Sequence, residues 1–175
     1  FAHSGWSWST REQTGSAEIV PEGHEGRGLR LQFDGQKDWT VANSATIGQA
    51  VEAGQTWRVS AWVKCKDTTH LDLILVGMLN GRVVDYGLTS DGIEGTTDWK
   101  LLEATAVIPR ECDHIAVRLQ GYGKVQAWID DLALTPGPAA PAAQPKTKVT
   151  GWATSRVVEK LGRAMVAIPT EDKRV

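Results

Sequence analysis

The chain of 175 residues is poor in sulfur and in the smaller aromatics, with two cysteines, two methionines, two phenylalanines and two tyrosines. Two cysteines cannot build a zinc site of the paired CxxC kind, so Cys65 and Cys112 are either one disulfide or two buried thiols. Cys65 ends one strand-like run and Cys112 lies just before another, and antiparallel neighbours would bring such ends together. No apolar run approaches the ~18 residues of a membrane span, and Phe1 to Thr10 lack the basic start and apolar run of a signal peptide. Basic charge is not in excess either. The formal net charge is −2 and no basic cluster is visible, which argues against a nucleic-acid partner, whose binding draws on counterion release. Gly-x-Ser-x-Gly, HExxH and a glycine-rich phosphate loop are all missing, so the commonest hydrolase and phosphate-binding chemistries find no foothold.

Tryptophan is abundant, at eight residues. Indole is hard to bury cleanly, so some of these rings are expected to face outward. From Gly5 to Leu134 the texture is one of short β-type runs broken by Gly, Asp, Asn and Pro, with turn chemistry at Asp34-Gly35, Asn80-Gly81 and Asp91-Gly92. In the run Trp57 to Cys65, alternate residues Trp57, Val59, Ala61, Val63 and Cys65 share one face, leaving Arg58, Ser60, Trp62 and Lys64 on the other. Ile115, Val117 and Leu119 repeat this against Ala116, Arg118 and Gln120. Strands with one apolar face each predict an all-β chain in which two antiparallel sheets pack as a jelly-roll β-sandwich over residues 1–135.

At Thr135 the composition shifts to Pro, Ala and Gly, which predicts an extended linker over 136–150. In 151–175, Val157, Val158, Leu161, Ala164 and Met165 stand at helical spacing with Ser155 as a candidate N-cap. The segment is too short for a domain and is expected to open a following one.

Four stretches carry a resemblance: Glu25 to Leu31, Ala53 to Lys64, Asp98 to Lys100, and Trp128 to Leu134. Together they resemble the galactose-binding-like carbohydrate-binding modules, notably the families grouped with modules four, nine and twenty-two, over nearly all of residues 1–135. Ser155 to Ile168 is similar to the opening of polysaccharide lyase family eleven, the rhamnogalacturonan lyases, with Ala164 where that pattern has Gly. That second likeness would make Ala164 to Ile168 a strand, against the helical spacing, and the two readings stand side by side. The resemblances imply a secreted, monomeric, non-catalytic module that targets an appended catalytic domain to plant cell-wall polysaccharide, pectic or hemicellulosic, with neither nucleic acid nor membrane as partner. A sandwich that only braces its catalytic neighbour is the competing reading.

The same resemblance implies a structural calcium ion, with the Asp130 carboxylate meeting backbone carbonyls from around His24 and Arg27. Ala2 stands where those families often supply an acidic ligand. Asp130 and Asp131, adjacent on one strand, point to opposite faces and do not form a glycosidase pair. For the sugar site, Trp39 sits where module family twenty-two carries a stacking Trp before a Gly, here Thr40. Trp62 has outward parity, and Trp128 shares parity with Asp130. Arg118, Gln120 and Gln126 offer planar hydrogen-bonding groups, and Tyr86 offers a ring and a hydroxyl beside the Asn80-Gly81 turn. Trp62, Arg118, Gln120 and Gln126 are expected to share one exposed sheet face, with Trp39 and Tyr86 at its rim. His3, His24, His70 and His114 read as exposed polar residues.

Overall fold

The computed structural model describes residues 6–43 and 49–137, so the helix or strand expected near the C-terminus and most of the linker lie outside the described residues. Nine strands run in the order β1 (Trp6–Thr10), β2 (Ser16–Val20), β3 (Gly28–Phe33), β4 (Asp38–Asn43), β5 (Gln49–Ala50), β6 (Thr56–Leu79), β7 (Arg82–Val107), β8 (His114–Tyr122) and β9 (Val125–Pro136). All described pairings are antiparallel, and the hydrogen-bonded order is β1-β4-β8-β6-β9-β3-β2, with β7 on β6 and β5 on β8.

The long strands explain how one hydrogen-bonded path makes two layers. β6 pairs with β9 through Trp57 to Cys65 and with β8 through His70 to Met78. Between these halves the register shifts repeatedly, Asp67 takes a φ of 48°, and the buried Thr68 accepts from the Gln126 amide and donates to the Gln126 carbonyl. β7 bends with it, at Gly95 with φ 74°, and Thr96 hydrogen-bonds Asp67 across the corner. The first sheet therefore contains β2, β3, β9 and the first half of β6, and the second contains β1, β4, β8 and the second half of β6. Strands that change sheet at a bend form the corners of such a sandwich.

The alternation read from the sequence is the packing observed. Trp57, Val59, Ala61, Val63 and Cys65 from the first sheet and Leu71, Leu73, Leu75, Ile115, Val117 and Leu119 from the second are buried in one core cluster. The Asn80-Gly81 turn is also as expected, with φ of 50° and 75° closing the β6–β7 hairpin. Asp91-Gly92 is not a turn. Its residues pair in register with Leu73 and Asp72, so β7 passes straight through.

The disulfide expectation fails on the same topology. His114, at the start of β8, pairs with Met78 and not with the run that ends in Cys65. Cys112 packs against Gly77, some nine residues of strand beyond the bend at Thr68, which is about 30 Å of extended chain against the 4.4–6.8 Å between bonded cysteine Cα atoms. Both cysteines are free and buried.

Candidate functional site

The second sheet has an outer face that is exposed at Tyr86 and Tyr122 and closed over Ile74 and Val76. On β8 the outward residues are Arg118, Gln120 and Tyr122, and across the ladder on β6 stand Ile74, Asp72 and His70 in register with them. β7 adds Tyr86, whose ring lies 5.4 Å from the Arg118 guanidinium carbon. Among the described residues no tryptophan is exposed, whereas Tyr86 and Tyr122 are, at 64% and 53%. The two tyrosines are thus the exposed rings among the described residues, while Trp62, Trp99 and Trp128 are partly buried.

Between them the floor is polar. His70 stacks on Tyr122 with centroids 5.1 Å apart and planes 19° from parallel. Its Nδ1 lies 2.9 Å from Glu94 Oε1 and its Nε2 2.9 Å from Asp72 Oδ2. Partial burial works against a charge on this ring, yet the hydrogen bonds to Glu94 and Asp72, with their charges, outweigh it and hold the pKa above the ordinary 6.5. A hollow of about 400 Å³ opens here, walled by Asp72, His70, Gln120, Thr40 and Tyr122. Gly121 makes the floor possible, since a Cβ there would strike the His70 carbonyl and the Trp39 ring. The side chains of Arg118 and Gln120 make no hydrogen bond to a described residue, which leaves their planar groups free for a ligand. Two larger hollows at the loop ends, lined around Ala53 to Trp57 and around Glu12 to Ser16, present no exposed aromatic ring.

The predicted site residues divide. Tyr86, Arg118 and Gln120 come together on this face. Trp39 does not join them, being 1% exposed and stacked on Trp8 at 5.5 Å inside the core. Its parity on β4 points inward, opposite to that of Thr40, which is the physical reason that it cannot form a rim. Trp62, Gln126 and Trp128 belong to the first sheet, because β8 pairs with the half of β6 beyond the bend. The expectation that Trp62 and Gln126 share a face with Arg118 and Gln120 is therefore corrected. His70, Asp72 and Tyr122 were missed, although Tyr122 continues the Arg118-Gln120 alternation by one step.

Over the first sheet, the loop from Pro21 to Arg27 closes down. His24 stacks on Trp62 at 4.2 Å with planes 10° apart and meets Trp99 edge-on, so Trp62 offers no free platform on that side. Trp128 lines a smaller hollow beside it with Trp99, Lys64 and Glu22. His24 and His70 are thus working parts of the packing and not merely exposed polar groups.

No protein-family model matches the chain, and neither does any curated protein. Solved structures do match. The module TmCBM61 in complex with β-1,4-galactotriose is 20% identical, with a TM-score of 0.52 over 77% of this chain and 90% of that one. The family 11 carbohydrate-binding module from Clostridium thermocellum, in complex with a β-1,3-1,4-mixed-linked tetrasaccharide, is 15% identical with a TM-score of 0.54 over 75% and 88%. The CBM22-1 and GH10 modules of Clostridium thermocellum xylanase 10B, complexed with xylohexaose, give 18% and a TM-score of 0.55 over 77% and 26%. The fold is that of carbohydrate-binding β-sandwich modules. At these identities the likeness is one of fold alone.

In this chain the Asp130 carboxylate, 5% exposed, ties down the loop over the first sheet. Oδ2 accepts the Glu25 amide at 2.9 Å and Oδ1 the Asp131 amide at 2.8 Å. A bulge, with Asp131 at φ 50°, turns both carboxylates toward the same loop, and Asp131 Oδ2 lies 3.5 Å from His24 Nδ1. The expectation that these neighbours face opposite ways is corrected by that bulge. A Cβ on Gly23 would meet Asp130 Oδ2 and the Gly26 carbonyl, and one on Gly28 the carbonyls of Glu22 and Ile129. Oxygens stand among the nearest atoms at both positions, beside carbons of Arg27 and Gly23, and oxygens are the donors that a hard cation takes. Among the described residues no group of three or more His, Cys, Asp or Glu could hold a metal. An ion here would take Asp130 and otherwise backbone carbonyls of the loop that contains His24 and Arg27.

Proposed function

We propose that the chain is a non-catalytic carbohydrate-binding module that grips a polysaccharide across the outer face of the second sheet and targets an appended enzyme to plant cell walls. One observation carries this reading: the two exposed aromatic rings among the described residues, Tyr86 and Tyr122, flank an Arg and a Gln whose side chains have no hydrogen-bond partner among those residues. A pyranose presents an apolar C–H face to such a ring and paired hydroxyls to planar donors and acceptors. From Arg118 to Tyr122 the strand spans about 13 Å, room for a short run of sugars. The sugars bound by the similar modules named above, galactan, xylan and mixed-linked glucan oligosaccharides, support a plant-polysaccharide ligand. Asp72 and Glu94 are both tied to one imidazole and not opposed across a cleft, in keeping with a binding role.

Affinity electrophoresis in xylan, galactan and rhamnogalacturonan gels tests the proposal. The chain is expected to be retarded in at least one of them. Removing a stacking ring should cost about 2 kcal/mol, roughly thirtyfold in affinity, so Tyr86→Ala and Tyr122→Ala should run free while still melting cooperatively within a few degrees of the parent. Retardation of both variants like the parent would exclude this face, and no retardation of the parent in any gel would favour the bracing sandwich. For a calcium ion held at Asp130, we propose a purely structural role. Chelator should then lower the melting temperature without altering a retained affinity, and an unchanged melting temperature removes the ion from the account.

A further inference from the structure

Five described cationic side chains are half-buried: Arg30, Arg58, Lys64, Arg118 and Lys124. Four of them face a carboxylate, on Glu18, Glu103, Asp98 and Asp67 respectively. Arg118 faces none. Its cross-strand neighbours are Ile74 on one side and Ala42 on the other, and its Nε is buried without a hydrogen-bond partner. Among the described residues only the Tyr86 ring meets the guanidinium. A partly desolvated cation without a counter-charge is costly, and a ring face returns only part of that cost.

Resting on the binding role proposed above, we infer that the missing counter-charge belongs to the ligand: a uronic acid carboxylate, gripped by the Arg118 fork while neutral sugars beside it lie toward Tyr86 and Tyr122. A guanidinium presents two parallel N–H groups to a carboxylate, a geometry that hydroxyls match without supplying the charge. The surroundings limit how many carboxylates fit. Asp38 and Asp72 wall the adjoining hollow and Glu94 stands beside His70, so a second anionic sugar next to the first meets like charge. The ligand class is therefore a largely neutral chain carrying isolated uronates, alternating within the main chain or borne as branches.

Calorimetry with the full chain tests this. The ligands are an oligosaccharide with main-chain uronate alternating with neutral sugar, one with a uronate branch on a neutral chain, each of these after reduction of its carboxyl to the alcohol, and a homopolyuronate. At least one native oligosaccharide should bind about tenfold more tightly than its reduced form, and which one does so identifies the source. The advantage should shrink as salt is raised, and the homopolyuronate should bind more weakly than that ligand. Arg118→Gln should bring the native-to-reduced ratio to about one, while Arg118→Lys should keep the salt dependence with a smaller ratio. Equal affinity of the unaltered chain for native and reduced ligands overturns the inference and leaves sugar binding standing. Preference for the homopolyuronate overturns the isolated-carboxylate assignment, and binding of none of the oligosaccharides overturns the inference, leaving the binding role to the gels above.

Discussion

Replacing Trp39 by alanine separates a core ring from a ligand platform. The indole is 1% exposed, stacks on Trp8 with planes 13° apart, and covers Gly121, where no side chain fits. A buried Trp removes roughly 200 Å² from water, worth about 5 kcal/mol, and measured losses for Trp to Ala are about 3 to 5 kcal/mol. One correction lowers that figure. Trp39 Nε1 is buried without a partner, so the substitution also relieves an unsatisfied donor worth about 1 kcal/mol or more. A net loss of about 3 kcal/mol follows, which for a domain of this size lowers the melting temperature by about 10 °C. Urea titration followed by far-ultraviolet circular dichroism measures the loss. Trp39→Phe keeps most of the ring and drops the orphan N–H, and should cost less than about 1.5 kcal/mol. If Trp39→Ala costs under about 1 kcal/mol and abolishes sugar retention, the ring is at the surface and the placement of β4 is wrong.

Two further outcomes follow from titration and from the thiols. His70 has its folded pKa raised above 6.5, so its ion bridges to Asp72 and Glu94 contribute stability that is full below 6.5 and is lost as pH rises through the raised value. Melting temperatures across that window should fall with pH, and His70→Gln should flatten the dependence; an equally steep dependence in the variant would refute the assignment. Burial pushes the Cys65 and Cys112 thiols above 9.0, so a thiol reagent should find neither in the native protein and both after denaturation without reductant. Finding none after denaturation would mean that the two are bonded after all.

What the sequence made legible was local. Alternation identified Trp57 to Cys65 and Ile115 to Leu119 as one-sided strands, because side-chain direction along a strand has a fixed period of two, and the Asn80-Gly81 turn announced its hairpin through residues that tolerate positive φ. The bend at Asp67 had no comparable signature. Lys66 to Thr69 reads as an ordinary break between two strands, yet the chain continues there into the other sheet, and that alone decides that Arg118 and Trp62 lie on different faces. Parity also misleads where a strand is bulged, as at Asp131, and says nothing about a loop that folds back over a face, as His24 does on Trp62. Tryptophan abundance pointed to indoles as the exposed rings, but large rings are also the best fillers of a core that has only two phenylalanines, and the exposed positions fell to tyrosine.

The short join between β8 and β9 also fixes how the molecule would carry a pull. A polysaccharide held at Arg118 to Tyr122, as proposed, would load β8, which passes through Gly123 and Lys124 directly into β9, while whatever follows β9 pulls at Pro136. β9 lies between those points as an extended strand, at about 3.3 Å per residue already close to the longest span a chain can reach, so tension runs along its own backbone. The ladders to β3 and β6 brace that strand from its two sides and are not the path of the load, and a tether built this way has little slack to give.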